Sequence, residues 1–177
     1  MKNILWVASI ACLIITASAC RDNKKAKNFN EKTMVDQDAL RFITAANEAG
    51  LTEIKVATVA EQNSKNQRVI DFAKMMITDH AKAGKELKTL ATGKYVTLDD
   101  KISKEHQAMI NELSKKTGTE FDKQYMLMMQ ADHEKTVQDF ETATNNKNLA
   151  VKDFANQTLP TLKMHLDSAK AIASSLK

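Results

Sequence analysis

The sequence predicts an all-α domain of four long amphipathic helices, and three observations predict it. Gly and Pro are scarce, four and one in 177 residues, while Ala, Lys, Glu and Leu, which lose little freedom in a helix, are plentiful. Apolar residues recur at three- and four-residue spacings along four long segments, as on a helix with one buried face. Between the second and third of these lies a shorter amphipathic stretch, an extra short helix in the connection. Hydrophobic residues at 43% and charged residues at 27% suit one globular domain with its own core.

Residues 1–19 read as a lipoprotein-type signal peptide. Lys2 is followed by an apolar run from Ile4 to Ile15 and by small residues Thr16-Ala17-Ser18-Ala19 before Cys20. The run is too short to span a bilayer, which takes about 20 apolar residues. Cysteine directly after Ala-Ser-Ala resembles the bacterial lipoprotein processing site, with Ala17 where leucine is usual; that cysteine becomes N-terminal and lipidated. An ordinary signal peptide cleaved nearby is the alternative. With Cys12 removed and Cys20 lipidated, the domain keeps neither of its two cysteines as a thiol, which excludes disulfides and thiol catalysis. Residues 20–35, polar and rich in Lys and Asn, read as a tether, and residues 36–177 as the helical domain. The expected address is the cell envelope, periplasmic or outer membrane, with the membrane as partner through the anchor. The net charge of +4 comes without any block of like charges, so no nucleic-acid arm is expected.

The first long helix is expected from Asp36 to Asn63, with Leu40, Ile43, Gly50, Ile54 and Ala57 as its buried stripe, Glu53 on the flank and Glu61 inside the stripe near the helix end. Ser64 and Gln67 have capping-box spacing for a second helix running to about Ala91. Its stripe is Val69, Phe72, Met76, His80, Ala83, Leu87 and Leu90. Thr92 to Leu98 reads as a loop. Asp99 or Asp100 can cap the short helix that carries Ile102, His106, Met109 and Leu113. Gly118 breaks that helix and Thr119 caps the next, from Glu120 to Thr144, whose inner face holds Tyr125, Met126, Met129, His133, Val137 and Phe140. After a polar turn at 145–148, the last helix carries Val151, Phe154, Thr158, His165, Ala169 and Ile172, with a kink expected at Pro160. Four long helices with one longer connection make the ferritin-like connectivity.

The chemistry concentrates on a pair of similar hexads, Met75-Met76-Ile77-Thr78-Asp79-His80 and Met128-Met129-Gln130-Ala131-Asp132-His133, together with His165. Three imidazoles on three apolar faces are costly to bury without partners. Neutral imidazole is a common metal ligand, and bundle cores are where such ligands converge. Di-iron carboxylate bundles need Glu-x-x-His on two helices; here Ile77, Gln130 and Leu162 stand three residues before the histidines, which argues against ferroxidase chemistry. His80, His133 and His165, with Glu53 as a fourth, would suit Zn; Met76 and Met129, one turn before their histidines, would suit Cu; Fe stays in the set. For the methionines, core packing is the competing role. Asp79 and Asp132 point about 100° away from their neighbouring histidines and are flank residues or supporting partners, as is Tyr125. Folding the last two long helices about residue 146 sets His133 level with Thr161, one turn from His165. A polar core network of the three histidines, Thr158 and Tyr125 fits equally well. No Ser/His/Asp order, phosphate loop or nucleophilic thiol indicates an enzyme.

The stretches Asn47–Glu53, Phe72–His80, Phe121–His133 and Leu159–Leu166 resemble the domain of unknown function 4142 family of exported and outer membrane proteins. The resemblance covers about residues 36–176, nearly all of the expected mature domain. It implies a ferritin-like bundle and an envelope location, and no activity, substrate or metal. Two functions stay open: an envelope protein binding a transition metal through inward histidines, and a non-catalytic interaction lipoprotein with structural histidines. A third is a bundle that loosens as its imidazoles charge in acid.

Overall fold

The computed structural model describes residues 34–176. The expected signal peptide, Cys20 and most of the expected tether lie outside them. Five helices follow in order: α1 (Gln37–Asn63), α2 (Gln67–Gly93), α3 (Lys104–Leu113), α4 (Gly118–Ala143) and α5 (Leu149–Ser175). No helix among the described residues is long and apolar enough to cross a membrane.

α1 pairs along its length with α2, and α4 with α5; the two hairpins then meet through α1 against α4 and α2 against α5. The connection between them travels beside α1. The Asn47 amide donates to the Asp99 carbonyl at 2.7 Å, the Ser103 N–H donates to Glu48 Oε1 at 3.0 Å, and the Lys55 ammonium donates to Gln107 at 2.7 Å. Residues 99 to 107 thus advance alongside residues 47 to 55, and α4 starts at the end where α1 finishes. There the Ser64 hydroxyl donates to Asp122 at 2.6 Å. As a result α2 and α4 run in the same direction.

Several expected caps differ from those observed. Asn66, not Ser64, caps α2 by accepting from the Arg68 N–H at 3.0 Å. Ser64 instead ends α1, and its hydroxyl is engaged by Asp122. α2 continues through Gly93, two residues past the expected end. Ser103, rather than either aspartate, caps α3 through the His106 N–H. Thr117 holds the cap position of α4, and Gly118 turns the chain into it at φ +57°. α5 passes through Pro160 as one helix.

The core falls into two apolar clusters. One, around Ala39, Ile43, Leu87, Phe140, Val151 and Phe154, fills the end where the chain enters. The other, around Val56, Val69, Phe72, Phe121, Tyr125 and Ile172, fills the opposite end. Between them lies a polar layer.

Candidate metal centre

Each long helix presents one seam with alternating steps of four and three residues. In α1 it runs Ala39, Ile43, Ala46, Gly50, Glu53, Ala57, Ala60; in α2, Val69, Ala73, Met76, His80, Ala83, Leu87. In α4 it runs Met126, Met129, His133, Thr136, Phe140, and in α5 Val151, Ala155, Thr158, Leu162, His165, Ala169, Ile172. This repeat keeps one edge of a helix on the bundle axis. Each seam carries one ionisable residue in mid-bundle, and folding brings the four together. Glu53, His80, His133 and His165 are exposed by 3%, 7%, 0% and 1%.

The imidazole rings form a triangle. Their centroids are 5.7 Å apart for His80 and His133, 5.3 Å for His80 and His165, and 5.4 Å for His133 and His165. One nitrogen from each ring lies within 4.8 Å of the other two. Three imidazoles on one tetrahedral ion at about 2.0–2.1 Å would space their nitrogens about 3.3 Å apart, so closure needs at most about 1.5 Å per pair.

Hydrogen-bond acceptors assign the tautomers of two of the rings. His133 Nδ1 donates to the Met129 carbonyl at 3.0 Å, and His165 Nε2 donates to Asp79 Oδ2 at 3.0 Å. Glu53 Oε2 stands 3.2 Å from His80 Nδ1, and Glu53 Oε1 stands 3.5 Å from His133 Nδ1. Both Glu53 contacts are at ion-pair range but off the hydrogen-bond axis, since neither carboxyl oxygen has a hydrogen-bond partner. Acceptors fix His133 and His165, whose lone pairs fall on His133 Nε2 and His165 Nδ1; on His80, Nε2 is the nitrogen turned away from Glu53. All three are buried and without a hydrogen-bond partner. A buried nitrogen in that state costs about 1–3 kcal/mol, and an acceptor behind the ring is the arrangement that orients metal-binding histidines.

Burial disfavours charge throughout the layer. It pushes the Glu53 carboxyl up to about 8, with Asp132 adding repulsion. It pushes His80 down to about 3, helped by His133 and His165, and His133 down to about 4, helped by His165. His165 is also lowered by burial, partly offset by its bond to Asp79. At neutral pH the metal-free layer therefore holds neutral groups, and its imidazoles are in the form that binds metals.

The structure thus brings His80, His133 and His165 to one point, although residue counting set His133 and His165 a turn apart. Glu53 is not on the flank but inside the seam, while Glu61 is exposed. Glu53 faces the Nδ1 sides of His80 and His133, and it is not among the groups that gather within 4.8 Å. Asp79 supports His165 from the facing helix, not its neighbour His80. Asp132 is half-buried near Glu53, and burial raises its carboxyl. Met76 and Met129 pack in the apolar cluster around Tyr125, with the Met129 backbone rather than its sulfur serving His133. The Tyr125 hydroxyl is buried and unpartnered, its ionisation opposed by burial and by Glu53.

A family model for the domain of unknown function DUF4142 matches residues 24–172, and this range contains all four residues of the layer. The chain belongs to the DUF4142 family. The bundle is also similar to the crystal structure of a DUF305 fragment from Deinococcus radiodurans, with a TM-score of 0.71 at 14% identity. That match covers 79% of this chain and 97% of the other, and it is a likeness of fold. No curated protein matches the chain.

Two openings reach the layer of this DUF4142 bundle. On the side of the chain's entrance, the seam positions next to the layer are small: Gly50, Ala83 and Thr136, with Gly84 and Thr158 alongside. They leave a cavity of about 60 Å³ bordered by Glu53 and His80 and walled by Leu87, Phe140, Phe154 and Leu162. A Cβ built on Gly50 or Gly84 meets nothing within 4 Å. A second, more polar opening of about 90 Å³ lies between α2 and α5, where Asp79, Glu86, Lys82 and Gln157 line a way to His80 and His165.

Sequence reasoning missed a further polar group on the surface of this fold. His106 Nδ1 lies 3.0 Å from Glu48 Oε1 and 3.3 Å from the Thr52 hydroxyl. Hydrogen bonding from Ser103, and then from His106, holds the Glu48 carboxyl below its ordinary value. This group fastens α3 to α1. No local signal pairs residues 58 positions apart.

Proposed function

We propose that this chain is an exported, lipid-anchored envelope protein whose ferritin-like bundle binds one transition-metal ion through His80, His133 and His165. Asp79 serves as the acceptor that orients His165, and Glu53 lies against the Nδ1 side of His80. The observation that carries the reading is the triangle of three buried histidines, one nitrogen of each within 4.8 Å of the others, in which every ring has a buried nitrogen without a hydrogen-bond partner. Three neutral nitrogen donors suit Zn(II) or Cu(II) better than Fe(II), which favours carboxylates, and better than Cu(I), which favours the thioethers that here sit in apolar packing. Three protein ligands leave a coordination position for water or another small ligand. The export signal, Cys20 and the family resemblance support the address, and the connection running the length of α1 supports the ferritin-like label.

A purely structural polar network is the second reading, favoured by the bonds from His133 to Met129 and from His165 to Asp79. Against it, six side-chain atoms among Glu53, His80, Tyr125, His133 and His165 lack hydrogen-bond partners, and networks kept for stability are satisfied ones. The test is titration of metal-stripped protein with Zn(II), Cu(II) and Fe(II). One equivalent of Zn(II) or Cu(II), bound by the parent and lost in a folded His80→Ala/His133→Ala/His165→Ala variant, is the expected result. Equal binding by both proteins overturns the proposal.

A further inference from the structure

The end of the bundle where the chain enters differs from the rest of its surface. Three of the five exposed large hydrophobic residues among the described ones sit there: Met34 at 62%, Tyr95 at 60% and Leu149 at 72%. The other two, Leu127 and Met164, lie on helix sides, and the opposite end has none among the described residues. Met34 is tied to this end by its N–H, which donates to the Lys94 carbonyl at 2.9 Å. Tyr95 follows the end of α2, and Leu149 opens α5 on the adjoining turn.

Tyr95 is also the one described non-glycine residue with positive φ, at +57°. A bulky side chain is rarely found there, because its Cβ crowds the backbone. Glycine or asparagine is usual at this position just past a helix C-terminus. The strained conformation aims an aromatic ring outward, and strain of this kind tends to accompany a contact. Lys94 and Lys147 flank the three residues, and neither forms an ion pair among the described residues. Asp36, at the same end, is committed to capping α1.

We propose that this tip is a lipid-docking surface, with Met34, Tyr95 and Leu149 entering the headgroup–acyl boundary and Lys94 and Lys147 meeting anionic headgroups. The inference rests on the envelope-anchored reading above and is independent of the metal. Cys20 precedes Met34 by 14 residues. However those residues are arranged, they span at most about 50 Å, and about 20 Å as a random coil. The random-coil reach is shorter than the roughly 40 Å length of α1, so an anchor at Cys20 favours this end over the other near the bilayer. Tyrosine with its polar tip belongs at a membrane interface, and each nearby lysine gains from an anionic surface.

The test uses the full chain, processed in a bacterium and reconstituted into phosphatidylcholine vesicles with and without phosphatidylglycerol. A tryptophan at the tip (Tyr95→Trp) is compared with one at the far end (Lys115→Trp); the processed parent, which loses its single tryptophan, Trp6, with the signal peptide, serves as the blank. Lipids brominated on their acyl chains should quench the tip tryptophan by about half or more, most strongly with phosphatidylglycerol. They should leave the far one unquenched, and adding Met34→Ser and Leu149→Ser should abolish the effect. Equal quenching at the two positions overturns the proposal, as does shielding of the tip without bromine quenching alongside a dimer mass in sedimentation, which would make it a self-contact. The mass of the N-terminal peptide reports separately whether Cys20 carries lipid. An anchored protein with an unquenched tip removes the docking surface and leaves the anchor; a quenched tip without lipid on Cys20 does the reverse.

Discussion

Replacing Asp79 with alanine should weaken metal binding although Asp79 is not one of the proposed ligands. Its Oδ2 accepts the Nε2–H of His165 at 3.0 Å and so holds the Nδ1 lone pair toward the other two histidines. Without that acceptor, His165 is free to change tautomer and rotate. Loss of such a supporting acceptor costs about 10–100-fold in metal affinity, or about 1.4–2.7 kcal/mol. The Asp79 side chain is 32% exposed, so the metal-free variant should lose only about 1 kcal/mol for one hydrogen bond. The 143 described residues imply an unfolding entropy of about 0.3 kcal/mol/K, so 1 kcal/mol shifts the melting temperature by about 3 °C. The rise in melting temperature on adding excess Zn(II) should therefore be about 4–9 °C smaller in Asp79→Ala than in the parent. Competition against a chromophoric chelator gives the dissociation constant directly. An unchanged constant, with an unchanged thermal gain, would refute the assignment of His165 Nδ1 as the ligand atom.

Three further outcomes follow from the same layer. Gly50→Ala and Gly84→Ala together should stabilise the metal-free protein by about 2 kcal/mol, since alanine is the better helix former by about 1 kcal/mol and each Cβ has open space; a melting temperature that falls would mean the cavity is not free. In the metal-free protein the lowered histidines bind fewer protons than in the unfolded chain, so stability drops as pH falls from about 7 toward 4, at about 1.4 kcal/mol per pH unit per proton taken up. Glu53 works in the opposite sense: raised to about 8, it contributes fully below its unfolded value of 4.5 and loses that contribution as pH rises through about 8. Melting curves without metal should therefore peak between about pH 6.5 and 7, and a flat profile from pH 5 to 9 would contradict both shifts. Finally, a dication entering the neutral layer should expel the Glu53 proton, releasing about one proton at pH 7 and almost none at pH 9.5. Calorimetry in buffers of different ionisation heat measures that number, and Glu53→Gln should abolish the release.

The helices were legible because their signal is local: the periodicity of apolar residues places all five within a few residues of their observed ends. The caps were less so. Ser64 has the right spacing to Gln67 for a capping box, but its hydroxyl is taken by Asp122, 58 residues away, and no window of sequence contains that competition. The histidines stood out because a polar ring in an apolar seam is costly, so three of them carried information. Glu53 was misplaced because the α1 stripe was taken through Leu40 and Ile54; the four-three repeat through Ala39, Ile43, Ala46 and Gly50 puts it on the axis. The level of His133 against His165 depends on how the turn before Leu149 is built, and an error of a few residues there moves one helix by a turn. The bond from Asp79 to His165 joins two helices that sequence alone does not register.

X-ray absorption at the metal edge, on protein loaded with one equivalent of Zn(II) or Cu(II), tests the central claim most directly. The account predicts three imidazole nitrogens at about 2.0–2.1 Å, with the outer-ring scattering of histidine, and the loss of that pattern in the triple histidine variant. A first shell without imidazole scattering, or one unchanged in the variant, would contradict it.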